Sequence, residues 1–340
     1  MTCILLPLTN TFGGHSASKR RPQQLSDYSY LIELNNNYYD LKLMMKSSKS
    51  HTTHQTPTVF IVGPTASGKS HAGLVLAQEF NGAIICADSQ TVRRKLDIGT
   101  AKPSKADQKL IPHYILDAIE PFERYSVAQF KKDAEDALEE INQTAKTAFV
   151  VGGTGLYVDA LYYEYELDTP QNIALKNKYE TYSIKQLQTI IKERGYKLPQ
   201  NENNPRHLIG LLMREGVSPH NRKPRENSYI YGILPTDAVL RKRINNRIDD
   251  MFAHGIIEEV QRITEIYGQA PKNLDAIGYP LIQRYLLGDM TLEETKEKFK
   301  RAHWQYARRQ KTWFRRNKSI QWFSSAEALV VAARIQLASQ

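Results

Sequence analysis

Val59-Phe-Ile-Val-Gly-Pro-Thr-Ala-Ser-Gly-Lys-Ser70 decides the fold. Val59 to Val62 is a short apolar run with the character of a buried parallel strand. The next eight residues, Gly63, Pro64, Thr65, Ala66, Ser67, Gly68, Lys69 and Ser70, fit G-x-x-x-x-G-K-S, the spacing of a phosphate-binding loop. Glycines there let the backbone turn tightly, so that successive N–H groups point at phosphate oxygens. A helix starting at about Gly68 adds its N-terminal dipole for the same anion. Lys69 supplies a point charge, and the Ser70 hydroxyl can ligate Mg²⁺. A glycine-rich turn ahead of a helix could arise by chance, but strand, loop and helix follow in the required order. The loop specifies a polyphosphate without naming it.

Outward from this stretch the pattern alternates. A helix is expected over Lys69 to Phe80, a strand over Ala83 to Ala87, an amphipathic helix from Tyr125 to about Asn142 and a strand over Ala148 to Val151. Asp97 to Pro103 reads as a loop, and Gly152-Gly153-Thr154-Gly155 as a turn into another helix. This alternation predicts an α/β fold, a P-loop NTPase-like parallel sheet flanked by helices. Five segments are expected: an N-terminal extension (1–57), a first part of the core (58–161), a small helical insertion (162–228), a second part of the core with basic helices (229–325) and a C-terminal tail or helix (326–340). The insertion is polar, with helical patterns near Ser183–Arg194 and Pro205–Glu215. A strand over Tyr229 to Leu234 follows, then helices over Asp237–Ala253, Ile256–Tyr267, Tyr279–Leu287 and Leu292–Phe314.

A chain of 340 residues can bury a good core, and 41% hydrophobic with 24% charged residues is ordinary for a soluble globular protein. It has no apolar run of about eighteen residues, so no membrane helix is expected. Two cysteines, Cys3 and Cys86, are too few for a disulfide framework or a Cys/His zinc module. Net charge is +10, and Thr291 to Lys318 holds ten Lys or Arg against three Glu, the clustering expected of a surface that binds a phosphate backbone. The first 26 residues lack acids and carry Lys19, Arg20 and Arg21, a weak likeness to an organelle transit peptide. A disordered tail or an upstream start codon is preferred, with Ser47 to Thr56 as a linker and a short helix over Asn35–Met45.

Asp88 follows a strand, at the sheet edge where open α/β folds place their sites. Its possible roles are a general base, an acid that orders Mg²⁺-bound water, or a helix N-cap. Trp304, Tyr306, Trp313 and Phe314 sit among basic residues. They could stack unpaired bases, though at helical spacing such aromatics more often belong to the core.

Further signatures accompany the loop: Asp88-Ser89, Asp97-Ile-Gly-Thr-Ala-Lys-Pro103, Pro112-His113, Tyr125-Ser126, Gly152-Gly-Thr-Gly-Leu-Tyr157, Ala276-Ile-Gly-Tyr279 and Arg309-Gln-Lys-Thr-Trp-Phe-Arg-Arg316. In this order, from about Thr58 to Phe323, the chain resembles tRNA dimethylallyltransferases. Without the C-terminal zinc finger common in eukaryotic members, it looks like the bacterial type.

The resemblance implies a nucleotide-kinase-like fold whose loop holds the diphosphate of dimethylallyl diphosphate with Mg²⁺ as cofactor. It implies transfer of the dimethylallyl group to N6 of adenosine-37, beside the anticodon of tRNAs reading codons that begin with U. The base must flip out of its stack to be reached. Carried over residue by residue, Asp88 becomes the general base and Arg243, in Arg241-Lys-Arg-Ile-Asn-Asn-Arg247, a cation at the diphosphate. Thr154 contacts the transferred group or the RNA backbone, or simply caps a helix. Ser89, Gln90, Thr91, Thr100 and Lys102 belong to the adenine pocket and RNA contact. Arg206 and His207 on the insertion, and Arg308 and Arg309 near the C-terminus, are expected to meet tRNA. A cytoplasmic monomer is expected, or an organellar one if residues 1–57 are a transit peptide.

Three departures matter. The family's Asp-Ser-x-Gln-Val-Tyr is here Asp88-Ser-Gln-Thr-Val-Arg93, so a base contact by Gln at position 91 does not carry over. Its Asp-Pro-x-Arg with a further Arg is here Asn204-Pro-Arg-His207 followed by Gly210. The insertion is also short. The competing functions are an ATP-dependent small-molecule kinase, a free-adenylate prenyltransferase and a non-catalytic RNA-binding protein. The first lacks an Arg-rich lid here; the second typically has Gly-Ala-Thr-Gly in its loop and lacks Gly-Gly-Thr-Gly-Leu-Tyr. The third is disfavoured by an intact Lys69, Ser70 and Asp88.

Overall fold

The computed structural model describes residues 56–144, 146–167, 170–199, 201–213, 215–216, 223–268 and 276–339. The expectations for residues 1–55, including the linker up to that point and the Asn35–Met45 helix, lie outside them.

Six strands form one parallel sheet in the order β3-β2-β4-β1-β5-β6. They are β1 (Thr58–Val62), β2 (Ala83–Cys86), β3 (His113–Tyr114), β4 (Ala148–Gly152), β5 (Ser228–Ile233) and β6 (Gln321–Phe323). Every residue of β1, β2 and β4 is buried, which is why these strands read as continuous apolar runs and not as alternating ones. On one face pack α3 (Val127–Gln143) and α4 (Gly155–Tyr162), through Phe130, Ala134, Val158 and Leu161. On the other pack α1 (Lys69–Glu79) and α12 (Ala326–Ala338), through Ala72, Leu76, Leu329 and Ala333. Helix α2 (Lys105–Leu110) leads into β3 and is closed by a Ser104–Asp107 capping box.

The chain after β5 builds a helical layer with its own core: α8 (Asp237–Ala253), α9 (Ile256–Tyr267), α10 (Tyr279–Leu286) and α11 (Leu292–Phe314). Leu240, Ile244, Val260, Ile282 and Phe299 meet there. In the inserted stretch α5 (Pro170–Glu180), α6 (Ile184–Glu193) and α7 (Pro205–Met213) share a separate small core of Tyr179, Leu187, Ile191, Leu208 and Leu212.

Register aligns the strand ends. Val62 pairs with both Gly152 and Gly232, and Cys86 pairs with Val151. The segments that leave the C-terminal ends of β1, β2 and β4 therefore emerge side by side, at the edge where parallel sheets place ligands. Of the elements, β3, β6, α2 and α5 were not legible beforehand. Two- and three-residue strands carry no periodicity, and their pairing is decided by neighbours distant in sequence.

Candidate active site

The phosphate loop leaves β1 and turns back on itself, with Ser67 N–H donating to Pro64 O at 3.2 Å. Gly68 then caps α1 at φ +103°, a left-handed conformation that a side chain would strain, and so aims the helix N-terminus into the loop. Lys69 and Ser70 open the helix and line a cavity of about 370 Å³. Lys69 Nζ donates to Pro64 O at 3.4 Å. Burial pushes its pKa down to about 8; the Asp88 carboxylate opposes this, and Arg247 adds to it.

Asp88 stands two residues past β2 and lines the same cavity. Its Oδ1 accepts the Gln90 N–H at 2.9 Å, which fixes the carboxylate within a short turn. Thr154 closes that turn from the end of β4: its Oγ1 accepts the Ser89 N–H at 3.0 Å, and its own N–H donates to Ala87 O at 3.2 Å. Thr154 is also the N-cap of α4, but its side chain makes no cap bond; the hydroxyl is turned toward Ser89. Gln90 and Thr91 line the cavity, and Gln90 Oε1 and Thr91 Oγ1 are buried without a hydrogen-bond partner.

Two arginines one helical turn apart on α8 reach the phosphate loop. Arg243 Nη1 donates to Ser67 O at 3.0 Å, and Arg247 Nη1 to Thr65 Oγ1 at 3.3 Å. Arg247, not Arg243, lines the cavity, and burial lowers its pKa while Asp88 raises it. Arg243 braces the loop by its backbone, beside Gly68.

Helix α11 supplies the opposite wall with His303, Tyr306 and Gln310. Gln310 is 4% exposed and ties two loops together. Its Oε1 accepts the Thr65 N–H at 2.8 Å, and its Nε2 donates to Gly153 O at 2.9 Å. Burial lowers the His303 pKa to about 4, with Arg247 adding to the effect, so the ring is neutral at physiological pH. Burial, then Asp88, raises the Tyr306 phenol. Arg247, His303 and Gln310 were not among the sequence candidates, and Tyr306 was one only for base stacking. A signal existed: His303 and Gln310 interrupt the apolar stripe Phe299, Ala307, Phe314, where a polar residue needs a partner.

Not every candidate reaches the cavity. Thr100 lines it. Lys102, with its side chain 2% exposed, is enclosed by Asp97, Asp117 and the Arg93 carbonyl. Arg206 and His207 lie exposed on α7, and Arg308 and Arg309 exposed on α11, away from the cavity lining. Among the aromatic residues of α11, Phe314 is core, Trp313 Nε1 donates to Asp159 Oδ2 at 2.8 Å, and Trp304 lies 4.1 Å under the Arg241 guanidinium. Tyr306 alone lines the cavity.

A family model described as IPP transferase matches residues 91–317, two thirds of the chain. The chain belongs to the IPP transferase family. It is an enzyme of that family, a transferase. A tRNA dimethylallyltransferase of Carboxydothermus hydrogenoformans is 35% identical over 79% of this chain and 92% of its own length. Another, from Anoxybacillus flavithermus, is 35% identical over 82% of this chain and 93% of its own. The crystal structure of a full-length tRNA isopentenylpyrophosphate transferase from Bacillus halodurans superposes with a TM-score of 0.63 at 31% identity, covering 84% of this chain and 96% of that one. A eukaryotic dimethylallyltransferase solved acting on tRNA has a TM-score of 0.64, covering 81% of this chain and 75% of that chain; at 24% identity it speaks to the fold alone. Among the described residues no helix is long and apolar enough to cross a membrane.

Proposed function

We propose that this enzyme transfers the dimethylallyl group of dimethylallyl diphosphate to the exocyclic N6 amine of the adenosine beside the anticodon of tRNA, at position 37 in tRNAs that read codons beginning with U. The relatives' names supply the substrates. The observation that carries the chemistry is that Asp88 opens on the same cavity as the phosphate loop, with Oδ1 already held by a backbone N–H.

The donor's diphosphate lies along the loop N–H groups at the start of α1. Lys69 and Arg247 converge on it, and Arg243 braces the loop behind. The adenine amine attacks the allylic carbon, the carbon–nitrogen bond forms and the carbon–oxygen bond to diphosphate breaks. An aryl amine is a weak nucleophile, so Asp88 accepts its proton as the bond forms. The departing diphosphate gathers charge, which the fixed cations and the helix N-terminus stabilise without reorganising.

Mg²⁺ fits the donors present. Ser70 offers a hydroxyl, a hard oxygen, at the cavity wall. Among the described residues no three His, Cys, Asp or Glu cluster as a metal cage. So few protein oxygens suit a cation that keeps its waters and takes phosphate oxygens. Ser70 would hold it, and its charge would ease departure of the diphosphate. Arg206, His207, Arg308 and Arg309, all exposed, would meet the tRNA. Work in the cytoplasm accords with the bacterial relatives.

Asp88→Asn tests the assignment. It keeps size and hydrogen bonding but takes no proton, so kcat should fall about a hundred- to ten-thousandfold while donor KM stays within about twofold. A fall in donor affinity that added Mg²⁺ reverses would make Asp88 a metal-site residue and reject it as the base.

A further inference from the structure

Glu259 on α9 is 3% exposed and does not line the cavity, yet both its oxygens are engaged with the loop that does. Oε2 accepts the N–H groups of Asp97 and Ile98, at 2.9 and 2.8 Å. Oε1 accepts the Gly99 N–H at 3.0 Å and the Tyr279 hydroxyl at 2.5 Å. Three successive backbone N–H groups thus converge on one carboxylate. Loops present this concave arrangement to phosphate, but here the anion is a side chain of the protein itself.

The surroundings are built to the same end. An added Cβ at Gly99 would stand 2.4 Å from the Tyr279 ring, so the ring and the loop backbone touch directly. Burial and the neighbouring Glu259 raise the Tyr279 phenol well above its ordinary value, which keeps it a donor. On the far side of the loop Lys102 closes back onto Asp97 and Asp117. What these groups hold is the stretch whose Gly99, Thr100, Ala101 and Pro103 line the cavity. The phosphate loop, by contrast, is braced by Arg243, Arg247 and Gln310, whose hydrogen bonds go to Ser67, Thr65 and Gly153. The two sides of the cavity are therefore held by separate sets of hydrogen bonds.

We propose that Glu259, assisted by Tyr279, is a positioning residue for the acceptor: it holds the Asp97–Pro103 loop in the shape that receives the flipped adenine before any substrate arrives. This rests on the reading that an RNA adenine is the acceptor. Charge-assisted bonds from a fully buried carboxylate are strong, and losing them frees three N–H groups at once. In Glu259→Gln the new NH₂ group must face the loop. Turned toward Tyr279 it finds an acceptor, because the hydroxyl can reverse, but the Gly99 N–H then loses its partner. Tyr279→Phe removes one donor and keeps the ring against Gly99.

The test is steady-state transfer from labelled dimethylallyl diphosphate to an unmodified tRNA and to its isolated anticodon stem-loop, by the parent, Glu259→Gln, Tyr279→Phe and, as a comparison, Lys69→Ala. Equilibrium donor binding and a thermal melt accompany each. Glu259→Gln should lose about ten- to a hundredfold in kcat/KM for the acceptor, since misplacing a positioned group by about 1 Å costs that much. The loss should be equal on tRNA and stem-loop, because both carry the same base for the Asp97–Pro103 loop to receive. Tyr279→Phe should lose less, and donor affinity in both should stay within about twofold of the parent. Lys69→Ala should show the reverse pattern. A parent that labels no RNA overturns the acceptor reading itself. A parent that labels RNA, with Glu259→Gln either matching it or losing donor affinity in step with acceptor turnover, overturns the role of Glu259 alone.

Discussion

Lys69 shows how far burial alone sets a functional property. Its ammonium stands at the base of the cavity, where desolvation outweighs the pull of Asp88 and Arg247 adds repulsion, leaving its pKa near 8. The sign is fixed by the chemistry of the ligand: the protonated form attracts diphosphate, and the neutral form does not. Below about pH 8 donor affinity should be flat in pH as far as Lys69 is concerned. Above it, Kd for the donor should climb toward tenfold per pH unit, because the bound donor's charge holds the proton on Lys69, and level off only once pH passes the raised pKa of the complex. Calorimetric titration of dimethylallyl diphosphate from pH 7 to 9.5 measures this, and Lys69→Ala should bind weakly with no such rise. A parent affinity unchanged to pH 9 would mean that another cation carries the diphosphate. Arg247 is the natural second cation, and its absence from the sequence reading has a physical cause. Arg241-Lys-Arg-Ile-Asn-Asn-Arg247 reads as the solvated face of a helix. Only the packing of Leu240, Ile244 and Ile248 against the helical core turns positions 243 and 247, one turn apart, onto the phosphate loop.

Among the elements, α11 does two things with its two faces. Its inner stripe, Thr295, Phe299, His303, Ala307, Gln310 and Phe314, packs the core and seals the cavity. Its outer face presents Arg308, Arg309, Arg315 and Arg316 to solvent, whereas Lys300 is paired with Asp249 and Lys311 with Asp237. Not all ten basic residues of the segment are therefore free to displace counterions, and the exposed Arg308, Arg309, Arg315 and Arg316 are among those that are. Replacing Arg308 and Arg309 together by Ala should reduce the slope of log K against log salt for tRNA binding by about one to two units. An unchanged slope would make them a solvated face. This helix was legible in full, because Thr291 begins it with a capping box and its apolar residues recur at helical spacing. So were β1, β2 and β4, whose apolar runs end at glycine or aspartate. The elements that were not legible lack such signals: β3 and β6 are two and three residues long, and α5 carries few apolar residues in a polar stretch. The stacking role considered for Trp304, Trp313 and Phe314 gives way to packing. Three-dimensional neighbours such as Asp159 and Arg241 decide that, and spacing along the helix does not reveal them.

The whole molecule joins a parallel sheet, whose aligned strand ends carry the phosphate loop and Asp88, to a helical layer that supplies the arginines, Gln310 and the clamp on the Asp97–Pro103 loop. The kinase reading would need a nucleoside triphosphate at the loop. A free-adenylate prenyltransferase would need no basic helix beside its cavity. One measurement separates these readings from RNA prenylation. Labelled dimethylallyl diphosphate is given to the enzyme with Mg²⁺, AMP, ATP and unmodified tRNA together, and the products are separated and digested to nucleosides. RNA prenylation predicts label in tRNA alone, released as N6-dimethylallyladenosine from the position beside the anticodon, with stoichiometric diphosphate. Label in AMP or ATP, or tRNA left unlabelled while the donor is consumed, would contradict it.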